Sequence, residues 1–127
     1  MSHFTRLKTK LKDKEVLIKA LNTLSYSVEE NVLLHIDGSH AEDHADERVE
    51  LAVTHDVGFK LTKDGTFNLV AELDTWEEPF PIERFLEKVT QAYAKVMVVQ
   101  TAQEQGYTVV SEQKSVDNTI EVVVEKW

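Results

Sequence analysis

The side chains in this 127-residue chain that could bind or transform a ligand fall into four groups. The first is residues 37–47, DGSHAEDHADE, where His40 and His44 stand four apart among Asp37, Glu42 and Asp43, with His35 just before them. On a helix, histidines at that spacing share a face and can chelate one divalent ion. The stretch holds five acids and no large apolar residue to fix a second shell, so a solvated acidic loop is the expected reading, with no metal and no cofactor. The second group is His55-Asp56 with Glu72, Asp74, Glu77 and Glu78, the residue types of acid–base catalysis. Such groups must converge in a pocket to work, whereas His55-Asp56 lies where a hairpin must turn, so a turn role is expected and no catalytic residue is assigned. The third is Arg6, Lys8, Lys10, Lys12 and Lys14, a contact for an anionic partner or, as expected, lysines protecting an edge strand. The fourth is the aromatic set Trp76, Phe80, Phe85 and Tyr93, expected to be core rather than an exposed docking patch.

Periodicity indicates the elements that must position these groups. Thr5, Leu7, Thr9 and Leu11 alternate with basic residues, predicting a half-buried strand. Asp13 then caps a helix whose face is Leu17, Ala20, Leu21 and Leu24, ending near Ser25. Val32 to Ile36 form the apolar part of a second strand, and residues 37–47 the loop after it. Three alternating runs predict strands in meander order: Val49, Leu51, Val53; Val57, Phe59, Leu61; and Phe67, Leu69, Ala71, Leu73. Asp64-Gly65 turns between the last two. After the break at Trp76 to Pro81, the residues Ile82, Phe85, Leu86, Val89, Tyr93, Val96, Met97 and Gln100 trace one face of a long helix, which Gly106 ends in a left-handed cap. Tyr107 to Glu112 and Thr119 to Trp127 close the chain as a hairpin with Ile120, Val122 and Val124 inward. The order is β-α-β-β-β-β-α-β-β. It predicts a single α+β domain spanning 1–127, with a mainly antiparallel sheet and both helices on one face. Leu24-Ser25-Tyr26 and Gln105-Gly106-Tyr107 echo each other, each leaving a helix through a small residue and an aromatic.

Composition narrows the function classes. With 14 Lys and Arg against 23 Asp and Glu the net charge is −9, a field that repels phosphate backbones and anionic lipid, so nucleic acid is not an expected partner. The basic start, MSHFTRLKTKLK, lacks the apolar run of a signal peptide and is expected to be a mature N-terminus. No stretch has the roughly 20 apolar residues that cross a bilayer. The absence of cysteine excludes disulfides and thiolate chemistry, and no GxSxG, GxGxxG, P-loop or HExxH pattern occurs.

Four stretches in order, MSHFTRLKT, VGFKLTKDGTFNLVAEL, VTQAYAKV and QGYTVVSE followed by IEVVVEKW, resemble the ycf thirty-five family of plastid and cyanobacterial proteins over essentially the whole chain. The resemblance implies a plastid (chloroplast stroma) or cyanobacterial cytoplasmic location and carries over no catalytic residue. The loop 37–47 is more acidic and histidine-rich than the family pattern. The combined expectation is a non-enzymatic accessory or protein-interaction domain of a photosynthetic lineage, acting with a protein partner through its sheet face or long helix. The alternative is a small-ligand or metal-binding domain that uses the acidic loop, His40 and His44 included, or a pocket between the sheet and the linker Trp76 to Pro81.

Overall fold

The computed structural model describes residues 4–34, 47–54, 56–114 and 120–126, with side chains as far as Gly106. Asp13 starts α1 (Lys14–Thr23) by accepting the Val16 N–H at 3.1 Å, which satisfies one of the donors a helix start leaves open. The helix ends at a left-handed residue, Ser25, with φ 71°. There Ser25 N–H bonds Asn22 O and Tyr26 N–H bonds Leu21 O, the double closure usually built on glycine. The second helix, α2 (Ile82–Glu104), also ends at a left-handed residue, Gly106, φ 84°, whose N–H bonds Gln103 O at 3.1 Å, so the two echoing helix ends share a left-handed stop. The Tyr93 hydroxyl of α2 accepts the Lys12 and Asp13 N–H groups and ties the start of α1 to the long helix.

β1 (Thr5–Lys8), β2 (Glu29–Leu34), β3 (Glu47–Thr54), β4 (Val57–Leu61) and β5 (Phe67–Ala71) form one antiparallel sheet in the order β1-β5-β4-β3-β2. The meander from β2 to β5 brings β5 back beside β1, in register Leu7↔Leu69 and Lys8↔Asn68. A 3-10 turn (Leu73–Thr75) leads from β5 toward α2, so Leu73, expected to continue the strand's apolar run, leaves the sheet and is exposed. The element order is the predicted one, and the fold is α+β with an antiparallel sheet. Among the described residues the last two strands, β6 (Tyr107–Lys114) and β7 (Ile120–Lys126), pair only with each other and lie against α2 as a separate two-stranded sheet. The side chains of Val122 and Val124, expected to face the helices, lie outside the described residues.

One sheet face carries the main core. Leu51, Val57, Phe59, Leu69 and Ala71 meet Leu17, Leu21, Phe85 and Val89, with Leu24, Leu86 and Val53 partly buried at the margin. Phe4, Leu34, Val49, Ala52 and Val70 form a second, smaller cluster. Val49 was expected to share a face with Leu51, but it joins this second cluster together with Ala52. The strand is irregular there: Asn31 opposite is left-handed at φ 57°, and the Glu50 carboxylate takes the Leu61 N–H in place of a ladder carbonyl. Gly58 is required where the two strands close up, since a Cβ would lie 2.7 Å from Leu51 O and 2.9 Å from Val49 Cγ2.

Candidate functional site

The predicted carboxylates meet at the end of the sheet where the β3–β4 turn faces the linker. Asp56, 5% exposed, is a rare buried acid, and both its oxygens are engaged: Oδ1 by the Thr54 hydroxyl at 2.6 Å and Oδ2 by the Thr75 hydroxyl. Its backbone carbonyl accepts the Glu72 N–H at 3.0 Å, so the turn and the end of β5 are laced together. Glu72, 3% exposed, caps the 3-10 turn through Oε1 to the Asp74 N–H at 2.9 Å. Among the described residues its Oε2 has no hydrogen-bond donor.

Beside this lacing lies a cleft of about 140 Å³ walled by Tyr26, Val53, Asp56, Trp76, Glu77 and Glu78. Its aromatic wall is built on Phe85, whose ring meets Tyr26 and Trp76 edge-on, each at 5.3 Å between centroids. Trp76 Nε1 donates to Phe80 O at 2.6 Å, which folds the linker back over the helix start, and Lys88 Nζ sits 4.1 Å above the Phe80 ring. The Tyr26 hydroxyl donates to Glu78 Oε1 at 3.1 Å. Burial, and then that carboxylate, raise the Tyr26 pKa above the usual phenol value. Phe85 is buried, and Trp76, Phe80 and Tyr93 pack partly buried on the core, as expected of the aromatic set.

The structure thus brings Asp56, Glu77 and Glu78 to one cleft, with Glu72 tied in behind Asp56 and Asp74 exposed outside it. The contacts of Asp56 and Glu72 are those of ties holding a turn and a cap, which matches the turn reading of Asp56. Among the described residues no three histidine or carboxylate side chains are grouped to hold a metal ion. His35, His40, His44, Asp37, Glu42, Asp43 and His55 lie outside the described residues. Glu47, expected in the acidic loop, instead opens β3, where it takes hydrogen bonds from Arg6 and Lys60. Burial pushes its carboxyl up, but those two cations outweigh it and hold the pKa below the ordinary 4.5.

Two surfaces complete the picture. β1 is an edge strand, as expected, and Lys8 and Lys10 at its end share a groove with Lys63 of the β4–β5 turn. Along α2, no described side chain after Tyr93 joins either core cluster. Met97, expected on the core face, is 38% exposed and Val98 is 48% exposed. With Ala94 and Thr101 they make an outward stripe at the i, i+3, i+4, i+7 spacing of one helix face. Periodicity alone could not separate this stripe from the core face, because it does not reveal where along the helix the sheet ends.

The sequence comparisons place the chain in a family. A family model described as "Protein of unknown function (DUF1257)" matches residues 20–123, and the chain belongs to that family. The chain is 29% identical to "Uncharacterized protein ycf35" of Pyropia yezoensis, 28% to the protein of that name in Cyanophora paradoxa and 30% to that in Guillardia theta. In each case the match covers 100% of this chain and 98% of the relative. No solved structure matches the chain. No described helix is long and apolar enough to cross a membrane.

Proposed function

We propose that the chain is a non-enzymatic accessory domain of a photosynthetic lineage that binds a protein partner in the plastid stroma or cyanobacterial cytoplasm. The observation that carries this reading is the outward stripe Ala94, Met97, Val98 and Thr101 on the part of α2 that has left the main core. Exposed apolar side chains at helical spacing are the usual means by which a helix seats on another protein. The names of the algal relatives support the location. The test is a Met97→Glu/Val98→Glu double variant, whose stability should stay within about 0.5 kcal/mol of the parent because both residues are exposed. Proteins crosslinked to the parent in a photosynthetic lysate should include one that contacts residues 94–101 and is lost from the variant. An unchanged crosslink pattern, or turnover of a metabolite with no partner contact, defeats the reading.

The cleft between Tyr26 and Trp76 favours a second reading, small-ligand binding, because it lies where sheet and linker were expected to enclose a pocket. Thermal melting against a panel of metabolites and divalent ions, repeated with a His40→Ala/His44→Ala variant for the metal form, reports it as ligand-dependent stabilisation.

A further inference from the structure

Three lysines gather at the β1 edge of the sheet, the edge opposite β2. Lys8, Thr9 and Lys10 form one wall of a groove of about 550 Å³, and Thr62, Lys63, Asp64 and Thr66 form the other, with Asn68, the strand partner of Lys8, between them. Both walls are fixed by their own hydrogen bonds. The Thr9 hydroxyl donates to Phe67 O and accepts the Leu11 N–H, while Thr62 N–H bonds Thr66 O at 2.8 Å across the turn. The lysines therefore project from set backbone positions.

Three ammonium groups gather in this groove although acids outnumber bases by nine over the whole chain. Among the described residues none of the three has a salt-bridge partner, whereas Arg6, Lys14, Lys60 and Arg84 do. Asp64 is the one carboxylate in the lining. Its Oδ1 already accepts the Thr62 hydroxyl, the Thr66 hydroxyl at 2.6 Å and the Thr66 N–H at 3.1 Å, and these bonds lower its pKa to about 2. The lining thus carries three positive charges against one internally engaged negative charge.

We propose that this groove binds a phosphoryl group. A net charge of two matches the roughly −1.5 to −2 that a phosphate monoester carries near neutral pH. The lysines act as point charges and Asn68 supplies an amide donor, which suits phosphate oxygens and does not require the forked geometry of arginine. No lining residue is aromatic or apolar, so there is no stacking surface for a nucleobase and no anchor pocket for a peptide side chain. Edge protection explains Lys8 and Lys10, but it does not explain Lys63, which sits on a turn.

Inorganic pyrophosphate titrated into the isotope-labelled protein, against sodium chloride at matched ionic strength, tests the site by amide chemical-shift mapping. The expected result is saturable shifts confined to residues 8–10 and 62–68, with affinity at least tenfold weaker in a Lys8→Gln/Lys63→Gln variant and also reduced in Lys10→Gln alone. Removing mutually repelling charges should leave both variants melting at or above the parent temperature, so loss of binding is not loss of fold. A parallel titration with glycerol 3-phosphate separates the sources: saturation there too assigns the site to phosphate monoesters, and saturation by pyrophosphate alone to the inorganic ion. Shifts that do not saturate, that spread equally to exposed lysines such as Lys12 and Lys19, or that persist in the variants overturn the proposal.

Discussion

Truncation of Phe85 should be far more damaging than truncation of its neighbour Leu86. Phe85 is 1% exposed and its ring meets Tyr26, Trp76 and Phe59, whereas Leu86 lies at the margin of the same cluster and is only partly buried. Replacing a buried Phe by Ala costs about 3–5 kcal/mol, and the value here belongs in the upper part of that range because rigid rings on three sides collapse poorly into the cavity. The two edge-on pairs contribute about 0.5–1.5 kcal/mol each beyond area burial, so Phe85→Leu, which keeps an aliphatic filling, should still lose about 1–3 kcal/mol. Leu86→Ala falls below the 2–5 kcal/mol of a fully buried leucine, at about 1–2 kcal/mol, because part of its surface is already wet. Measured by far-ultraviolet circular dichroism in urea, with a slope of about 2 kcal/mol/M, the midpoint should drop by about 2 M for Phe85→Ala and under about 1 M for Leu86→Ala. Equal shifts for the two variants would refute the assignment of Phe85 as the hub between core and cleft.

Gly58→Ala should destabilise the protein by about 1–3 kcal/mol, because the new methyl meets the Leu51 carbonyl oxygen at 2.7 Å and backbone must move; an unchanged urea midpoint would contradict that close approach. Ser25→Gly should stabilise by about 0.5–1 kcal/mol, since Ser25 pays a left-handed penalty that glycine avoids; a lower melting temperature would show that the cap depends on the serine side chain. Glu47 has a folded pKa below its ordinary 4.5, so the stability it contributes is present above that value and disappears as pH falls through the lowered one; Glu47→Gln should flatten the acid limb of a stability-versus-pH curve below about pH 4.5, and an identical limb would remove Glu47 as its source.

Much of the fold was legible in the sequence because its signals are local. The Asp13 cap, the helix stop near Ser25, the left-handed end at Gly106 and the Asp64-Gly65 turn each depend on one or two residues whose preferences act at short range, although the left-handed backbone of Ser25 itself was not read from the sequence. The face of β3 was misread at Val49 for a non-local reason. Strict alternation put Val49 beside Leu51, but the left-handed Asn31 on the neighbouring strand and the Glu50 carboxylate on Leu61 N–H break the period, and neither can be seen within the run Val49 to Val53. The facing of α2 beyond Tyr93 was hidden for a similar reason: Met97 has the spacing of the core face, yet its side chain is 38% exposed.

Charge placement was the least legible feature, and it now separates the two surfaces that matter. The basic N-terminal run Arg6, Lys8, Lys10, Lys12 and Lys14 is visible in the sequence, but edge protection by that run does not include Lys63. Lys63 stands more than fifty positions away, and it reaches the same groove because the meander returns β5 to β1 while the β4–β5 turn projects at that end. The same topology moves Glu47 out of the acidic run and sets it between Arg6 and Lys60, so those two cations share a carboxylate, while among the described residues Lys8, Lys10 and Lys63 have no salt-bridge partner. Since exposed ion pairs contribute little to stability, the distinction bears on binding more than on folding. A shared carboxylate weakens the field of Arg6 and Lys60 toward an anion, whereas the three ammonium groups of the groove, without an ion pair among the described residues, repel one another until an anion settles among them. The phosphoryl groove and the α2 stripe rest on different elements and different forces, one electrostatic and weakened by salt, the other apolar and insensitive to it. Raising ionic strength should therefore release a phosphate probe while leaving a partner bound at Met97 and Val98 in place.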